Sequence, residues 1–504
     1  MNMKWNSRVS FFLLLGVLTI PGITVAQKTK NEKRPNIIFI LADDLGYGDI
    51  KKFNPHSQVA TPNMDQLASE GIMLTNAHSA SSVCTPSRYG IITGRYCFRS
   101  SLKKGVLGGN SPALIEENRF TIADMLKGAG YQTAIVGKWH LGLDWVPIDN
   151  SQKAIRLNAN GADFSNVNFN KTITNGPNNL GFDYSYIIPA SLDMSPYTYI
   201  ENGKVTDASL VPEEDHNTGR GVFWRGGWKS KNFKIENTLD DFVSKAKQYI
   251  TSARKNQDHP FFLYLPLTAP HTPWLPAEKF RKTSGAGLYG DFVAHTDDAI
   301  GRIIRVVDSL LLTPNTLIIL ASDNGADWKK KDMEEFPAHQ ANYIFRGEKS
   351  DIWDGGHHIP LVFRWKGTLK NGRQSNAVFS LVDLMATLAD LTGQQLPSGA
   401  GPDSYDYWPL IKEDKNMERP SIIHHSNEGM FAIRKGKWKY VDGKGSGGWS
   451  PEDPADSAPA QLYDMEKDPR ETTNLYNKYP EIAKELKDLL EKQKAQGYSV
   501  GKSF

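Results

Sequence analysis

Three short apolar runs, each followed closely by polar residues, constrain the fold of this chain more than any other feature. They cover residues 36–41, 260–265 and 316–320. Continuous apolar runs of this length are typical of strands that are buried on both faces of a parallel sheet. Helical patterns lie between the runs, and this alternation predicts an α/β fold with a large, mostly parallel sheet covered by helices on both faces.

The polar residues that follow these runs predict where a site lies. Asp43 and Asp44 follow the first run, His271 follows the second, and Asp323 and Asn324 follow the third. Ligands of open α/β sheets bind in the crevice at the carboxyl ends of the strands. Two adjacent carboxylates repel each other there unless a cation holds them. Taken alone, the Asp43–Asp44 pair could also be a helix-capping residue and a solvated neighbour.

A cysteine at a predicted helix entry is the second candidate for chemistry. Cys84 precedes Pro86, which suits the first turn of a helix because that position needs no backbone donor. The unpaired N–H groups of a helix N-terminus favour an anion, and Arg88 adds a positive charge one turn later. The alternative for this segment alone is a buried Cys beside a structural Arg.

A third cluster follows a short predicted strand at residues 133–136. Lys138 and His140 share strand parity there, so both can point in the same direction. On their own, the two residues could also be a surface Lys and a His at the edge of the core.

Length and composition limit the remaining possibilities. The 504 residues allow one large domain and a smaller one, and we place the domains at 27–395 and 396–504, the second being an α+β unit on a short antiparallel sheet. A net charge of +3 argues for neither nucleic acid nor a membrane surface, and the chain lacks an apolar stretch long enough to span a bilayer. Residues 1–26 have the pattern of a signal peptide, which predicts export to the periplasm or secretion. Of the two cysteines, Cys97 is expected to remain a free, buried thiol.

Two longer motifs carry a family resemblance. Cys84-Thr85-Pro86-Ser87-Arg88 followed by Thr93-Gly94-Arg95, and the string Gly-Lys-Trp-His-Leu-Gly at 137–142, resemble the formylglycine-dependent sulfatases of the alkaline phosphatase superfamily. The likeness extends from residue 36 to about residue 476 and is strongest to bacterial carbohydrate sulfatases.

The resemblance implies a role for each motif residue. It implies one calcium ion bound by Asp43, Asp44, Asp323, Asn324 and the modified Cys84. Cys84 would be the formylglycine precursor, and Arg88 would hold its hydroxyls. His271 would protonate the departing sugar oxygen, and His140 would take a proton from formylglycine. Lys138 and Lys349 would stabilise the sulfuryl oxygens.

Substrate and partners also follow from the resemblance. It implies a sulfated carbohydrate of galactose or hexosamine type, with the 6-O position as our prediction, and a maturation enzyme that generates formylglycine. Weaker candidates for sugar contacts are Trp274, Arg346 and His357. The family usually has an Arg shortly before Pro360, where this chain has His357 and His358.

Three alternatives stay open at this point. A two-metal phosphatase would need a His where this chain has Asn324. A formylglycine-dependent phosphonate or phosphodiester hydrolase, and an inactive protein that binds sulfated glycans, would keep most of the same residues.

Overall fold

The structure, a computed structural model, describes residues 1–3, 34–154, 156–158, 161–255, 259–451 and 457–500. The predicted signal peptide lies almost entirely outside the described residues. The strands are β1 (Asn36–Asp43), β2 (Ile72–His78), β3 (Gln132–Lys138), β4 (Arg156–Asn158), β5 (Gly161–Asp163), β6 (Tyr184–Ile188), β7 (Ile200–Glu201), β8 (Lys204–Val205), β9 (Leu210–Glu213), β10 (His216–Gly219), β11 (Val222–Trp224), β12 (Gly227–Ser230), β13 (Phe261–Pro270), β14 (Thr316–Ser322), β15 (His358–Arg364), β16 (Arg373–Ser375), β17 (Phe379–Ser380), β18 (Ile422–His425), β19 (Phe431–Lys435), β20 (Trp438–Val441) and β21 (Gln461–Asp464).

Helices cover the sheet and the smaller C-terminal unit. They are α1 (Pro62–Glu70), α2 (Cys84–Thr93), α3 (Ile122–Gly128), α4 (Thr238–Ala253), α5 (Gly287–Ser309), α6 (Lys330–Glu335), α7 (Asp354–His357), α8 (Leu384–Thr392), α9 (Trp408–Glu413) and α10 (Pro480–Gln496). None of the helices formed by the described residues is long and apolar enough to cross a bilayer.

A large mixed sheet forms the centre of the molecule. Its strand order is β16-β2-β15-β14-β1-β13-β3-β6-β7-β8, with β17 beside β2. The five strands from β14 to β6 are parallel to one another. The three predicted apolar strands are β1, β13 and β14, all of whose residues are buried. The predicted fold class is therefore confirmed.

Side-chain alternation along β1 separates two apolar cores, one on each face of the sheet. One core receives Ile37, Phe39 and Leu41, and contains residues of α2, α3 and α8. The other receives Ile38, Ile40 and Ala42, and contains residues of α1, α4 and α5. This period of two explains why a strand that is buried on both faces has a continuous apolar sequence.

The strand β15 runs antiparallel to both β14 and β2. The segment between β14 and β15 connects the two strands at the same end of the sheet, the end where the parallel strands have their carboxyl termini. No crossover to a parallel strand occurs. This return connection keeps residues 323–357 at the edge where β1 also ends.

The C-terminal unit is a four-stranded antiparallel sheet, β18-β19-β20-β21, against which α10 packs. One apolar cluster joins it to the main body, because Tyr96, Phe98 and Val382 pack with Ile423 and Leu462. The antiparallel sheet was predicted, whereas the boundary between residues 395 and 396 stays a prediction. The region 144–235 contains several short strand pairs.

Candidate active site

Acidic residues from two neighbouring strands meet at the carboxyl edge of the sheet. Asp43 ends β1 and Asp323 follows β14 directly, and both are fully buried. Asp44 has a φ of 66°, and its backbone N–H donates to Asp323 Oδ1 at 3.2 Å. Asn324 Nδ2 donates to Asp44 Oδ1 at 2.7 Å. The predicted convergence of these four side chains is present.

Three buried cations surround the carboxylates. Lys138 Nζ lies 2.8 Å from Asp43 Oδ2, and Lys349 Nζ lies 2.7 Å from Asp44 Oδ2. Arg88 bridges two carboxylates, with Nη2 at 3.2 Å from Asp43 Oδ1 and 2.7 Å from Asp323 Oδ2. These three charges balance the three carboxylates, so a bound divalent cation leaves the site positive and suited to an anionic substrate.

The ionisation of the carboxylates is unequal. Burial alone would raise the pKa of Asp43, but Lys138, His271, Arg88 and Lys349 together hold it well below its usual value. Burial, reinforced by repulsion from Asp43, raises the pKa of Asp323, and Arg88 opposes this only in part. A cation between the two would favour the ionised form of both carboxylates.

The oxygen atoms of this cluster fit a hard divalent cation. Asn324 Oδ1 is buried and has no hydrogen-bond partner among the described residues. One ligand atom from each of Asp43, Asp44, Cys84 and His271 lies within 4.8 Å of the others. Cys84 and His271 are of the type that binds zinc, but the carboxylate and amide oxygens of the site outnumber them, and such oxygens are the ligands that Ca²⁺ and Mg²⁺ prefer.

Cys84 is the first residue of α2 and lies directly beside the carboxylates. Its Sγ atom is 3.7 Å from Asp43 Oδ1, and 2% of the residue is exposed. Burial raises the pKa of the thiol to about 12, against the opposing charges of Lys138 and Lys349. Both Cys84 and Cys97 are buried and free, so the prediction of a free thiol at Cys97 is confirmed. An encoded thiol at position 84 stays protonated at neutral pH and is therefore a poor nucleophile.

His140 presents an unoccupied ring nitrogen. Its Nε2 atom lies 2.6 Å from the carbonyl oxygen of Leu107, which can only accept, so Nε2 carries the proton. Nδ1 is buried and has no hydrogen-bond partner in the described part of the chain. Burial and the nearby charges of Lys138 and Arg88 lower the pKa of His140 well below its usual value. The residue is thus a neutral imidazole with a free acceptor, which suits a base.

His271 has the complementary arrangement. Its Nδ1 atom is held by the carbonyl oxygen of Thr272, so Nε2 is the nitrogen that faces the site. Nε2 lies 3.8 Å from Asp44 Oδ2 and 3.4 Å from Ser191 Oγ. Since Nδ1 already donates to a carbonyl, a proton on Nε2 requires the imidazolium form, which is a competent acid.

The three weaker sugar-contact candidates are occupied by internal contacts. His357 is fully buried, and its Nδ1 atom lies 3.1 Å from His78 Nδ1 while Nε2 lies 3.1 Å from the Ile352 carbonyl. Arg346 lies 3.7 Å over the Trp353 ring and donates to the Glu471 carbonyl oxygen. We therefore do not carry His357 and Arg346 forward as sugar contacts.

Trp274 is 5% exposed and lies under the Arg220 guanidinium, 4.5 Å from it. Its ring face is thus occupied by a cation of the chain itself. His358, whose role was open between substrate contact and structure, has a structural environment: its ring nitrogens contact Asp354 Oδ2 and the Thr75 carbonyl.

Several polar residues near the site were not found from the sequence. Arg220, on the turn between β10 and β11, forms ion pairs with Asp327 and Asp332. Asp327 lies on the same segment as Asp323, and Glu348 directly precedes Lys349. Both could therefore have been identified from their closeness in sequence to predicted site residues. Arg220 could not have been identified in this way, because nothing in the local sequence of its hairpin indicates where the hairpin packs.

Comparisons with known proteins agree with this geometry. The sulfatase family model matches residues 35–394, and the model of the N-sulphoglucosamine sulphohydrolase C-terminal region matches residues 347–496. An N-acetylgalactosamine-6-O-sulfatase of Bacteroides thetaiotaomicron is 35% identical over 96% of this chain and 98% of its own length. Human arylsulfatase A is 30% identical over 90% of this chain and 87% of its own length.

A solved structure from a study of glycosaminoglycan metabolism by Bacteroides thetaiotaomicron, designated 6S-sulf, is also similar. Its sequence identity is 33% and its TM-score is 0.79, over 92% of this chain and 100% of that one. The phosphonate monoester hydrolase of Agrobacterium radiobacter, at 19% identity and a TM-score of 0.59, shares the fold alone.

Proposed function

This chain belongs to the sulfatase family and is therefore a sulfuric ester hydrolase, and we propose that its substrate is a glycan bearing 6-O-sulfated N-acetylgalactosamine. The single observation that carries the proposal is the relative that is 35% identical over nearly the full length of both chains and is named for this sugar and position. Other galactose- or hexosamine-type 6-sulfates are the next candidates.

We propose that Cys84 is converted to formylglycine by a maturation enzyme. The conversion would supply a nucleophilic oxygen at a position where burial keeps the encoded thiol protonated. The free acceptor at His140 Nδ1 supports a base that takes a proton from residue 84. In this scheme Arg88, which spans Asp43 and Asp323, fixes the carboxylates in place.

We propose that the cation is calcium, held by Asp43, Asp44, Asp323, Asn324 and residue 84. When bound, it would neutralise charge on the sulfate and favour ionisation of the attacking oxygen. Lys138 and Lys349, whose ammonium groups lie at opposite ends of the Asp43–Asp44 pair, would stabilise the sulfuryl oxygens as point charges. His271 would give its Nε2 proton to the departing sugar oxygen.

A panel of sulfated sugars of defined regiochemistry tests the substrate proposal. We expect N-acetylgalactosamine 6-sulfate to be hydrolysed with a kcat/KM at least ~100-fold above that for N-acetylgalactosamine 4-sulfate, since a misplaced sulfate leaves buried polar groups of the site unpaired. Preference for a phosphonate or a phosphodiester, or for a 4-sulfate, would contradict the proposal. Binding without turnover of every sugar would favour the inactive glycan-binding alternative.

Metal removal tests the calcium proposal. Chelation is expected to lower Tm by several degrees and to abolish hydrolysis, and added Ca²⁺ should restore both, because a ligand that binds only the folded state stabilises it. Asn324→Ala removes the unpartnered Oδ1 ligand. The Ca²⁺ concentration that produces half of the rise in Tm should therefore increase at least about tenfold.

Asp297→Asn is the matched control for this experiment. Asp297 is a buried carboxylate that accepts hydrogen bonds from Asn63 and Met64 at the start of α1. It should lower stability and leave the calcium response intact. Equal Ca²⁺ responses in the Asn324 variant and the unmodified chain would refute the ligand set.

Export completes the proposed function. A periplasmic location would give the enzyme access to glycans outside the cytoplasm, and the signal-peptide pattern at residues 1–26 supports it.

A further inference from the structure

An exposed tryptophan lies at the rim of the site. Trp449 is 46% exposed, whereas the catalytic candidates around Asp43 are almost fully buried. It belongs to the C-terminal unit, and sequence analysis gave no reason to connect it with the site. A single exposed aromatic side chain is ordinary in itself, so the case for a role depends on where Trp449 lies relative to Lys349.

The backbone of this tryptophan is fixed to the segment that carries Lys349. The N–H of Trp449 donates to Ser350 Oγ at 2.8 Å and to Asp351 Oδ1 at 3.0 Å. The preceding Gly448 packs so tightly that a Cβ atom there would lie 2.4 Å from the Ser350 carbonyl oxygen. The backbone of Trp449 is therefore fixed to the Lys349 segment, whereas its ring is exposed.

The ring lies within reach of a bound sulfate ester. Its centroid is 5.9 Å from Lys349 Nζ, and 5.1 Å from Lys329 Nζ. A 6-O ester separates sulfur from the sugar ring by only one oxygen and one carbon. A substrate whose sulfuryl oxygens contact Lys349 thus brings the ring of the sulfated sugar, and not a more distant one, alongside the indole.

The residue before Lys349 has a buried carboxyl oxygen without a hydrogen-bond partner in the described part of the chain. Glu348 is 6% exposed, and its Oε2 atom is buried with no hydrogen-bond partner among the described residues. The backbone N–H of Glu348 donates to Asp351 Oδ2 at 3.0 Å. The backbone N–H of Trp449 donates to Oδ1 of the same carboxylate. Burial and repulsion from Asp327 and Asp351 raise the pKa of Glu348 to about 8, so at neutral pH it can donate as well as accept.

We propose that Trp449 and Glu348 form the sugar-binding wall of this active site. The indole stacks against the ring that carries the scissile sulfate, and the Glu348 carboxyl group hydrogen-bonds a polar substituent of the same ring. The inference rests on the proposed function, because it assumes a sulfated sugar as substrate. An apolar platform with one or two fixed polar groups is the usual composition of a small-ligand site.

A protein partner at Trp449 is the competing interpretation. The sugar is favoured because the indole lies over the catalytic Lys349 and is fixed to the same short segment. A docking surface for a protein would not require a buried carboxyl oxygen, without a partner among the described residues, on the same segment.

Kinetics of Trp449 variants test the stacking role. Trp449→Ala and Trp449→Leu should each raise KM for N-acetylgalactosamine 6-sulfate about tenfold and change kcat less than about threefold, because the lost contact involves the sugar and not the reacting bond. Trp449→Phe should recover most of the loss. Inhibition by inorganic sulfate, which has no ring, should be unchanged in all three variants. Trp438→Ala, on β20 against Tyr479, is the matched control and should leave KM unchanged.

Glu348 variants test the polar half of the wall. Glu348→Leu should raise KM about tenfold, and Glu348→Gln, which keeps a donor and an acceptor, should raise it less than about threefold. If the unmodified enzyme hydrolyses the sugar sulfate and Trp449→Ala and Trp449→Leu both keep its KM, the inference is wrong and the proposed function stands. An unmodified enzyme that hydrolyses no sulfated sugar overturns both.

Discussion

Replacement of Cys84 by Ala is expected to lower kcat/KM for sulfate-ester hydrolysis by at least ~10³-fold, because the variant lacks the residue that becomes the nucleophile. The other proposed cation ligands, Asp43, Asp44, Asp323 and Asn324, remain, so the fold should be kept and the protein should still respond to calcium, but at a higher calcium concentration because residue 84 no longer contributes a ligand. The measurement is kcat/KM on a 6-sulfated hexosamine, together with Tm.

Cys97→Ala is the matched control for this variant. Cys97 is also buried and free, and burial likewise raises the pKa of its thiol to about 12. It lies in the short helical turn after α2, where its Sγ atom contacts Ser100 Oγ at 3.6 Å. Activity of this variant should stay within about twofold of the unmodified enzyme.

The same prediction has a chemical readout. The peptide that contains residue 84 should carry oxygen in place of sulfur and two fewer hydrogens when the maturation enzyme is present. Expressed without that enzyme, the protein should fold, retain the thiol and be inactive. Normal turnover by a protein with an intact Cys84 thiol would refute the assignment.

The part of the site predicted from sequence is the part specified by local patterns. Strand burial appears as a continuous apolar run, and the residue after such a run lies at the carboxyl edge, so Asp43 and Asp323 could be placed before any coordinates. The helix entry at Cys84 likewise follows from Pro86. Backbone geometry over a few residues was enough in each case.

The remaining residues depend on packing between distant segments. Trp449 reaches the site only because the C-terminal sheet shares an apolar cluster with the main body. His357 was a plausible sugar contact by its sequence neighbours, but α7 turns it towards His78, which comes from a different strand. The direction of β15 was also inaccessible, since it depends on where the preceding connection re-enters the sheet.

The family resemblance implies opposite roles for the two histidines, and their free ring nitrogens have different surroundings. His140 and His271 both use one ring nitrogen to bind a backbone carbonyl oxygen. His140 is left with a free acceptor in a site whose charges keep it neutral. His271 is left with Nε2 facing the site, 3.8 Å from Asp44 Oδ2.

The second large effect concerns His271 and depends on the leaving group. His271→Ala is expected to lower kcat/KM on a sugar sulfate by about 10²–10⁴-fold, because an alkoxide leaves poorly unless it is protonated as the S–O bond breaks. On an aryl sulfate with an acidic phenol the loss should be less than about tenfold, since such a phenolate departs without a proton.

The variant His140→Ala distinguishes the proposed base, His140, from the proposed acid, His271. His140 would act on the proton at residue 84 after the alcohol has left, so its loss should lower turnover of the sugar sulfate and the aryl sulfate to the same extent. A burst of released phenol, equal to the enzyme present, should then precede slow turnover of the aryl sulfate. Equal losses on both substrates for His271→Ala would instead mean that this residue supports the cation site and does not protonate the sugar oxygen.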